Sequence, residues 1–222
     1  MSTDHGKQFT VYCSQGPNPW KVVLILEELN LEYHINHNDT KTNAHKEPAF
    51  LALNPNGRYP ALIDHSNNDF VIWESGAIIL YLINKYDKEH KISFPDLESN
   101  ATATQYLMFQ MSGQGPYIGQ LAWFSMYHPE KIPSAIKRYA DESKRILSVL
   151  EDILKDRDYL VGDKVSYADL SFVAWNSLLV IFPDHFGTWK TDYPKVAEWE
   201  ARLEERPSFK RTTIVREEAA KN

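Results

Sequence analysis

Short apolar runs and longer amphipathic runs alternate along the first part of the chain. Four runs rich in β-forming residues and bounded by polar or turn residues predict strands: Phe9–Ser14, Glu32–His37, Ala61–Asp64 and Phe70–Trp73. Apolar positions recur at helical spacing over Trp20–Leu29 and Ser75–Tyr86, which predicts two helices, and a short irregular helical segment is predicted over Asn43–Leu53. The order of these elements is therefore βαβ followed by ββα.

The second part of the chain has helical periodicity throughout. The charged stretch Asp87–Asp96 separates it from the first part and is typical of an interdomain linker. The predicted helices are Leu97–Met126, Ser134–Asp156, Tyr167–Ile181, Pro194–Glu205 and a short one near Pro207–Glu217. We predict an α/β plus all-α fold, with a thioredoxin-like N-terminal domain over residues 1–88 and an all-helical C-terminal domain over residues 97–222.

Composition narrows the classes of function. The chain has 222 residues, of which 43% are hydrophobic and 24% charged, as in a folded globular protein. Its net charge of −6 argues against binding to nucleic acid or to an anionic membrane surface. No run approaches the ~18 apolar residues of a membrane helix, and the polar first residues lack a secretory pattern. We therefore expect a cytoplasmic protein whose partners are small molecules or proteins.

Cysteine and histidine usage excludes two further kinds of site. Cys13 is the only cysteine, which allows no internal disulfide, no CxxC redox pair and no cysteine-based zinc site. His34 and His37 lie three residues apart in a predicted strand and lack a third ligand nearby. We expect no metal, and we interpret Cys13 as a buried structural thiol.

Two segments have the residue types needed to bind a peptide. Pro60 directly precedes a predicted strand, where a cis-proline is common in this fold, and it would leave the backbone of Tyr59 free to pair with a ligand as an added strand would. The alternative is that Pro60 only begins the strand. Glu74 and Ser75 stand at a predicted helix start, where the helix dipole favours a ligand carboxylate and Glu74 would take an ammonium group. The alternative is that Ser75 is an ordinary N-cap.

Taken together and in order, these segments resemble the glutathione transferase family, and most closely its fungal branch around the yeast nitrogen-catabolite prion protein, together with the bacterial nu-class enzymes. The resemblance extends over nearly the whole chain. The matching segments are Gly16–Val22, Asn54–Asp64, Trp73–Leu82, Ser112–Pro116, Gly119–Gln120 and Tyr159–Asp163. It implies a homodimeric enzyme that uses glutathione as co-substrate, acts on small hydrophobic electrophiles or peroxides, and has peroxidase or disulfide-reducing activity as well.

The resemblance also implies residue roles in glutathione binding. Glu74 and Ser75 would hold the γ-glutamyl end, Tyr59 would pair with the cysteinyl backbone, and Arg58 and His45 would contact the remaining peptide.

Asn18 matches the position that contacts the glutathione sulfur. Its alternative role is an N-cap followed by an N1 proline. The bacterial enzymes carry a threonine two residues earlier, where this chain has Gly16, so no hydroxyl assists the thiol there. Tyr12 and Ser14 are nearby substitutes of lower rank.

Three questions stay open at this level. Tyr117, Trp123, Phe124 and Tyr127 either line an electrophile pocket or belong to the helical core. A second functional hypothesis is a regulatory module that binds glutathione and acts through a protein partner. A third is an assembly module, which an intact Glu74–Ser75 segment argues against.

Overall fold

The chain forms two compact units in the computed structural model, which describes residues 5–221 apart from the Thr40 side chain. One unit extends to Ile92 and also includes the chain from Glu205 onward, and the other is Ser93–Glu204. The division falls inside the linker that the sequence predicts. The last helix differs from the expected arrangement, because it packs with the first unit and not with the helical one.

The first unit is built on a four-stranded mixed sheet. The strands are β1 (Phe9–Cys13), β2 (Tyr33–His37), β3 (Ala61–Asp64) and β4 (Phe70–Trp73), in the spatial order β2-β1-β3-β4. The helices are α1 (Pro17–Glu28), α2 (Pro48–Leu51) and α3 (Ser75–Tyr86), with short 3₁₀ turns at Thr40–Thr42, Ala44–Lys46 and His65–Asn67. β1 pairs in parallel with β2 and antiparallel with β3, and β3 pairs antiparallel with β4. This confirms the predicted thioredoxin-like order.

Helix α1 is covered on nearly all of its surface. It contacts β1, α3 and the C-terminal helix α11 (Pro207–Ala219). Consequently Trp20, Val22, Val23, Leu24 and Ile25 are all at most 2% exposed, although no single helical face could contain them all. The return of α11 over α1 explains why the C-terminal chain belongs to the first unit.

A buried carboxylate ties β3 to α3. The Asp64 side chain is fully buried and accepts hydrogen bonds from Tyr81 at 2.6 Å, from Tyr86, and from the Lys85 ammonium at 3.0 Å. Ser66 donates to its other oxygen at 2.7 Å. Burial alone would raise the pKa of Asp64, but these hydrogen bonds outweigh it and hold the pKa at about 2.

The second unit is entirely helical in its described structure. Its helices are α4 (Leu97–Phe109), α5 (Gly115–Ala122), α6 (Pro133–Leu154), α7 (Tyr167–Asn176), α8 (Pro183–Phe186), α9 (Trp189–Asp192) and α10 (Pro194–Glu204). Two π-helical segments, Gln110–Gln114 and Trp123–Tyr127, interrupt the helical stretch predicted over Leu97–Met126. None of the described helices is long and apolar enough to span a membrane.

Buried Asp169 organises the core of the second unit. It accepts hydrogen bonds from the Ser166 and Leu160 backbone N–H groups, each at 2.9 Å, and from the Trp199 indole at 2.9 Å. Ser166 and Asp169 therefore form a capping box at the start of α7, and Asp169 also joins α7 to α10.

Candidate functional site

The strand register brings the predicted site segments to one end of the sheet. Ala61, the first residue of β3, pairs with Tyr12 near the end of β1 and with Trp73 at the end of β4. Tyr59 and Pro60 therefore lie beside Glu74 and Ser75. The β1–α1 loop, which leads to Asn18, starts from the same end of the sheet. Three segments far apart in sequence thus converge where the sheet ends.

The loop before β3 is held in shape by Asn54. Asn54 is 2% exposed, donates to the Arg58 carbonyl at 2.7 Å and accepts from the Asn56 N–H at 3.0 Å. Gly57 has a φ of +60°, and a Cβ there would lie 2.9 Å from the His45 carbonyl oxygen. Only glycine fits this position without displacing neighbouring backbone. No local sequence pattern predicts this role of Asn54.

The Tyr59–Pro60 peptide bond is cis, as the sequence predicts. β3 begins at Ala61, so Tyr59 lies just outside the ladder. The ring of Tyr59 packs against Phe50 with centroids 4.9 Å apart and against His45 at 5.8 Å. Burial raises the pKa of Tyr59 to about 12, which keeps its phenol neutral near pH 7.

His45 and Tyr59 each have a buried polar atom near this end of the sheet. The His45 Nδ1 and the Tyr59 hydroxyl are buried atoms with no hydrogen-bond partner among the described residues. Burial, reinforced by the charges of Lys46 and Arg58, lowers the pKa of His45. The surroundings of His45 are therefore electropositive, which favours a negatively charged ligand group.

Glu74 has a strained backbone at the start of α3. It is exposed and has a φ of +71° and a ψ of 114°. Such a conformation costs a non-glycine residue roughly 1–3 kcal/mol and is concentrated at functional sites. Glu74 occupies the N-cap position without a side-chain cap bond, and Ser75, 2% exposed, is the first helical residue. The interpretation of Ser75 as an ordinary N-cap is therefore wrong.

A buried lysine, which the sequence analysis did not identify, lies close to Glu74. Lys21 is only 1% exposed although it carries an ammonium group. Burial lowers the pKa of Lys21 to about 7, and the negative charge of Glu74 acts in the opposite direction. Its sequence neighbours Trp20, Val22 and Val23 are all apolar, which is the one signal that its face of α1 is covered.

Asn18 lies in the first turn of α1 and is not its N-cap. The helix begins at Pro17, and Gly16 takes the cap position with a φ of −64° and a ψ of 158°. The predicted start at Trp20 was three residues late, because prolines at the first positions of a helix are compatible with helical φ. The capping alternative for Asn18 is therefore wrong.

The other residues considered for thiol activation are buried. Tyr12 is 8% exposed, its ring packs against Phe50, and burial raises its pKa. Ser14 is 6% exposed, and its hydroxyl accepts from the Gly16 N–H at 3.4 Å. Cys13 is fully buried, and burial raises the pKa of its thiol far above the ordinary range. Cys13 is thus the buried thiol that the sequence predicts.

Comparisons with known proteins identify the family. The N-terminal domain model of glutathione S-transferase matches residues 7–84, and the C-terminal domain model matches residues 116–207. The chain belongs to the glutathione S-transferase family. Glutathione S-transferase 1 of Schizosaccharomyces pombe is 50% identical over 227 residues, which cover 97% of this chain and 99% of that protein.

Fungal family members related to URE2 are also similar to the chain. The crystal structure of the glutathione transferase URE2P8 from Phanerochaete chrysosporium, solved with oxidized glutathione, has a TM-score of 0.94 and 46% identity, and covers 99% of this chain and 100% of its own. Protein URE2 of Eremothecium gossypii is 37% identical over 228 residues, which cover 86% of this chain and 63% of that protein. These matches confirm the fungal branch that the sequence resembles.

The four aromatic residues considered for an electrophile pocket do not all belong to the core of the helical unit. Trp123 is 46% exposed and Tyr127 is 65% exposed, and both lie in the second π-helical segment. Phe124 and Tyr117 are half-buried, and Phe124 stacks on Tyr139 at 5.7 Å. The core interpretation is therefore wrong for Trp123 and Tyr127. Within residues 5–221, no group of three or more His, Cys, Asp or Glu side chains is arranged to hold a metal ion.

Proposed function

We propose that this protein is a glutathione transferase that conjugates glutathione to electrophiles. The observation that carries the proposal is the meeting of three segments, those of Asn18, Tyr59–Pro60 and Glu74–Ser75, at one end of the sheet. Each supplies a chemically different contact that a thiol-containing peptide needs. The curated relatives named glutathione S-transferase and the related structure with oxidized glutathione support the same assignment.

The anchoring end of the site fits an α-amino acid group. The exposed Glu74 carboxylate accepts the ligand ammonium, and Ser75 at the N-terminus of α3 binds the carboxylate with its hydroxyl and the N–H groups of the first turn. The backbone of Tyr59 pairs with the cysteinyl backbone as an added strand. His45 and Arg58, in electropositive surroundings, contact the remaining peptide and its terminal carboxylate.

Asn18 activates the thiol in this proposal. Its side-chain amide donates a hydrogen bond to the sulfur at the N-terminus of α1, where the helix dipole also favours the anion. The thiol proton leaves to solvent, and the thiolate attacks an electrophilic carbon. A sulfur–carbon bond forms while the leaving group departs with its electron pair.

The same thiolate supports two side activities. Attack on a hydroperoxide breaks the O–O bond and releases an alcohol and an oxidised glutathione sulfur, which a second glutathione converts to the disulfide and water. Attack on a glutathionyl mixed disulfide releases the second thiol and forms glutathione disulfide. The peroxidase reaction therefore consumes two glutathione molecules, and the reduction of a glutathionyl mixed disulfide consumes one.

Several finer features belong to the proposal. The exposed aromatic side chains around Trp123 and Tyr127 provide an apolar surface for small hydrophobic electrophiles. We further propose a cytoplasmic homodimer, and light scattering near twice the chain mass of 25.7 kDa tests the oligomeric state.

An activity panel tests the function. Purified protein is assayed with glutathione and a haloarene, a hydroperoxide or a glutathionyl mixed disulfide, and glutathione affinity is measured by calorimetry in parallel. Turnover of the haloarene supports the transferase. Glutathione binding without turnover of any of the three substrates would instead favour the regulatory module that acts through a protein partner.

A further inference from the structure

Helix α11 runs antiparallel along α1, and side chains near both of its ends bind α1 or the loop before it. At the C-terminal end of α1, Arg206 binds the Glu28 carboxylate through two nitrogens at 2.5 and 2.8 Å, and Ser208 donates to the same group. Arg211 binds the next carboxylate, Glu27, at 2.6 Å. These contacts fix the helix pair far from the predicted site.

Arg216 reaches the opposite end of α1. Its Nη2 donates to the Gln15 carbonyl at 3.0 Å, and its guanidinium carbon lies 5.8 Å from the centroid of the Trp20 ring. Trp20 in turn donates from its indole to the Ser14 carbonyl at 3.0 Å. Two consecutive carbonyls of the β1–α1 loop are therefore held, one by Arg216 and the other by the ring beside it.

Between β1 and the first turn of α1, the backbone is least restricted by side-chain packing at Gly16. Pro17 and Pro19 fix the backbone on both sides of Asn18. A Cβ on Gly16 would meet only the Ser14 hydroxyl oxygen, 3.7 Å away, so packing does not restrict this residue. The direction in which the first turn leaves the sheet therefore depends on what holds Gln15.

We propose that Arg216 is a positioning residue for thiol activation: its hydrogen bond to the Gln15 carbonyl and its contact with the Trp20 ring keep Asn18 aligned with the glutathione sulfur. The proposal rests on the transferase function described above. It assigns Arg216 no contact with substrate. The loss of the Arg216 contact should loosen the loop while leaving the anchoring residues at Tyr59 and Glu74 in place.

The test compares Arg216→Met with Arg211→Met. Each substitution removes one positive charge and one contact of α11 with the region of α1. Only the Arg216 contact reaches the β1–α1 loop. For Arg216→Met we expect kcat near pH 7 to fall about two- to threefold, because Arg216 acts through Asn18 and its loss cannot cost more than the loss of the Asn18 amide. The KM for glutathione should change less than about twofold, because uniform binding is retained. The pH midpoint of kcat should move upward.

Two further measurements separate positioning from helix docking. Hydrogen exchange at the Asn18 and Trp20 amides should be faster in Arg216→Met and unchanged in Arg211→Met. Arg216→Lys keeps the charge and a donor, and it should recover part of kcat.

The outcomes distinguish this inference from the function on which it rests. An inactive wild-type protein that does not bind glutathione would refute both. An active wild type together with the same pH profile and exchange rates in Arg216→Met and Arg211→Met would refute the positioning role alone. Arg216 would then serve only to hold α11 against α1.

Discussion

Replacement of Asn18 by alanine tests the proposed thiol activation most directly. A free thiol has a pKa near ~8.5, and a hydrogen bond to a charged group contributes about 1.5–3 kcal/mol, which corresponds to roughly one to two pKa units. A bound thiol lowered to a pKa of about 7 is half ionised near pH 7, whereas an unassisted one is ionised to about 3%. The thiolate population therefore falls about sixteenfold in Asn18→Ala.

The loss of rate is smaller than the loss of thiolate. A more basic thiolate is a better nucleophile, and a Brønsted coefficient of about 0.4–0.5 returns roughly fivefold over this pKa change. We expect kcat near pH 7 to fall about threefold, and above about pH 9.5, where both thiols are ionised, the more basic thiolate of Asn18→Ala should react about fivefold faster than that of the wild type. The kcat–pH profile and the ultraviolet absorbance of bound thiolate measure the two quantities separately.

Asn18→Asp separates helix stability from thiol activation. Because Gly16 is the N-cap, neither substitution removes the cap, and an aspartate in the first turn interacts favourably with the helix dipole by about 0.3–1 kcal/mol. The same charge repels the thiolate. We therefore expect Asn18→Asp to melt no lower than Asn18→Ala and to be no more active. Full activity in either variant would refute the role of Asn18, and Ser14 would be tested next.

Three other substitutions test the anchor, the loop and the buried carboxylate. Glu74→Gln should weaken glutathione binding by about 1.5–3 kcal/mol in calorimetry. The exposed control Glu89→Gln should bind as the wild type does. Gly57→Ala should lower the free energy of unfolding by about 1–3 kcal/mol in urea, because φ is +60° there, whereas the helical Gly119→Ala should not. Asp64 has a pKa lowered to about 2 from about 3.9 in the unfolded chain, so its ionised form stabilises the fold by roughly 2–3 kcal/mol, a contribution lost as pH falls from about 4 to 2. Asp64→Asn should lack this slope in denaturation at successive pH values, and an unchanged slope would contradict the assignment.

Local sequence signals predicted the sheet and the helix α3 closely. The bounds of β3, β4 and α3 agree with the predicted runs, because a polar turn separates the two strands and a charged linker follows the helix. The cis bond before Pro60 is one of the two alternatives that the sequence left open. At these elements the turn residues and the spacing of the apolar residues indicate the same element boundaries.

The features that sequence could not supply depend on which elements pack together. Helical periodicity predicts α11 but not its partner, so its position on α1 and the contact of Arg216 with Gln15 were not foreseen. For the same reason a lysine in α1 is expected to face solvent, and the burial of Lys21 follows only once both sides of the helix are covered. Asn54 acts through the fold of its own loop, where an asparagine is unremarkable in sequence.

Glu74 and Lys21 lie at the same end of the sheet, and each has a conformation or an environment that is unfavourable for folding. Such residues support a binding role at this end. The positive φ of Glu74 has a cost that glycine would avoid, and the burial of Lys21 has a desolvation cost that an apolar residue would avoid. An α-amino acid group presents one positive and one negative charge to its site, and the exposed Glu74 carboxylate next to the N-terminus of α3 is suited to recognise that pair of charges. The strained backbone of Glu74 and the burial of Lys21 therefore favour the proposed binding role of this end of the sheet.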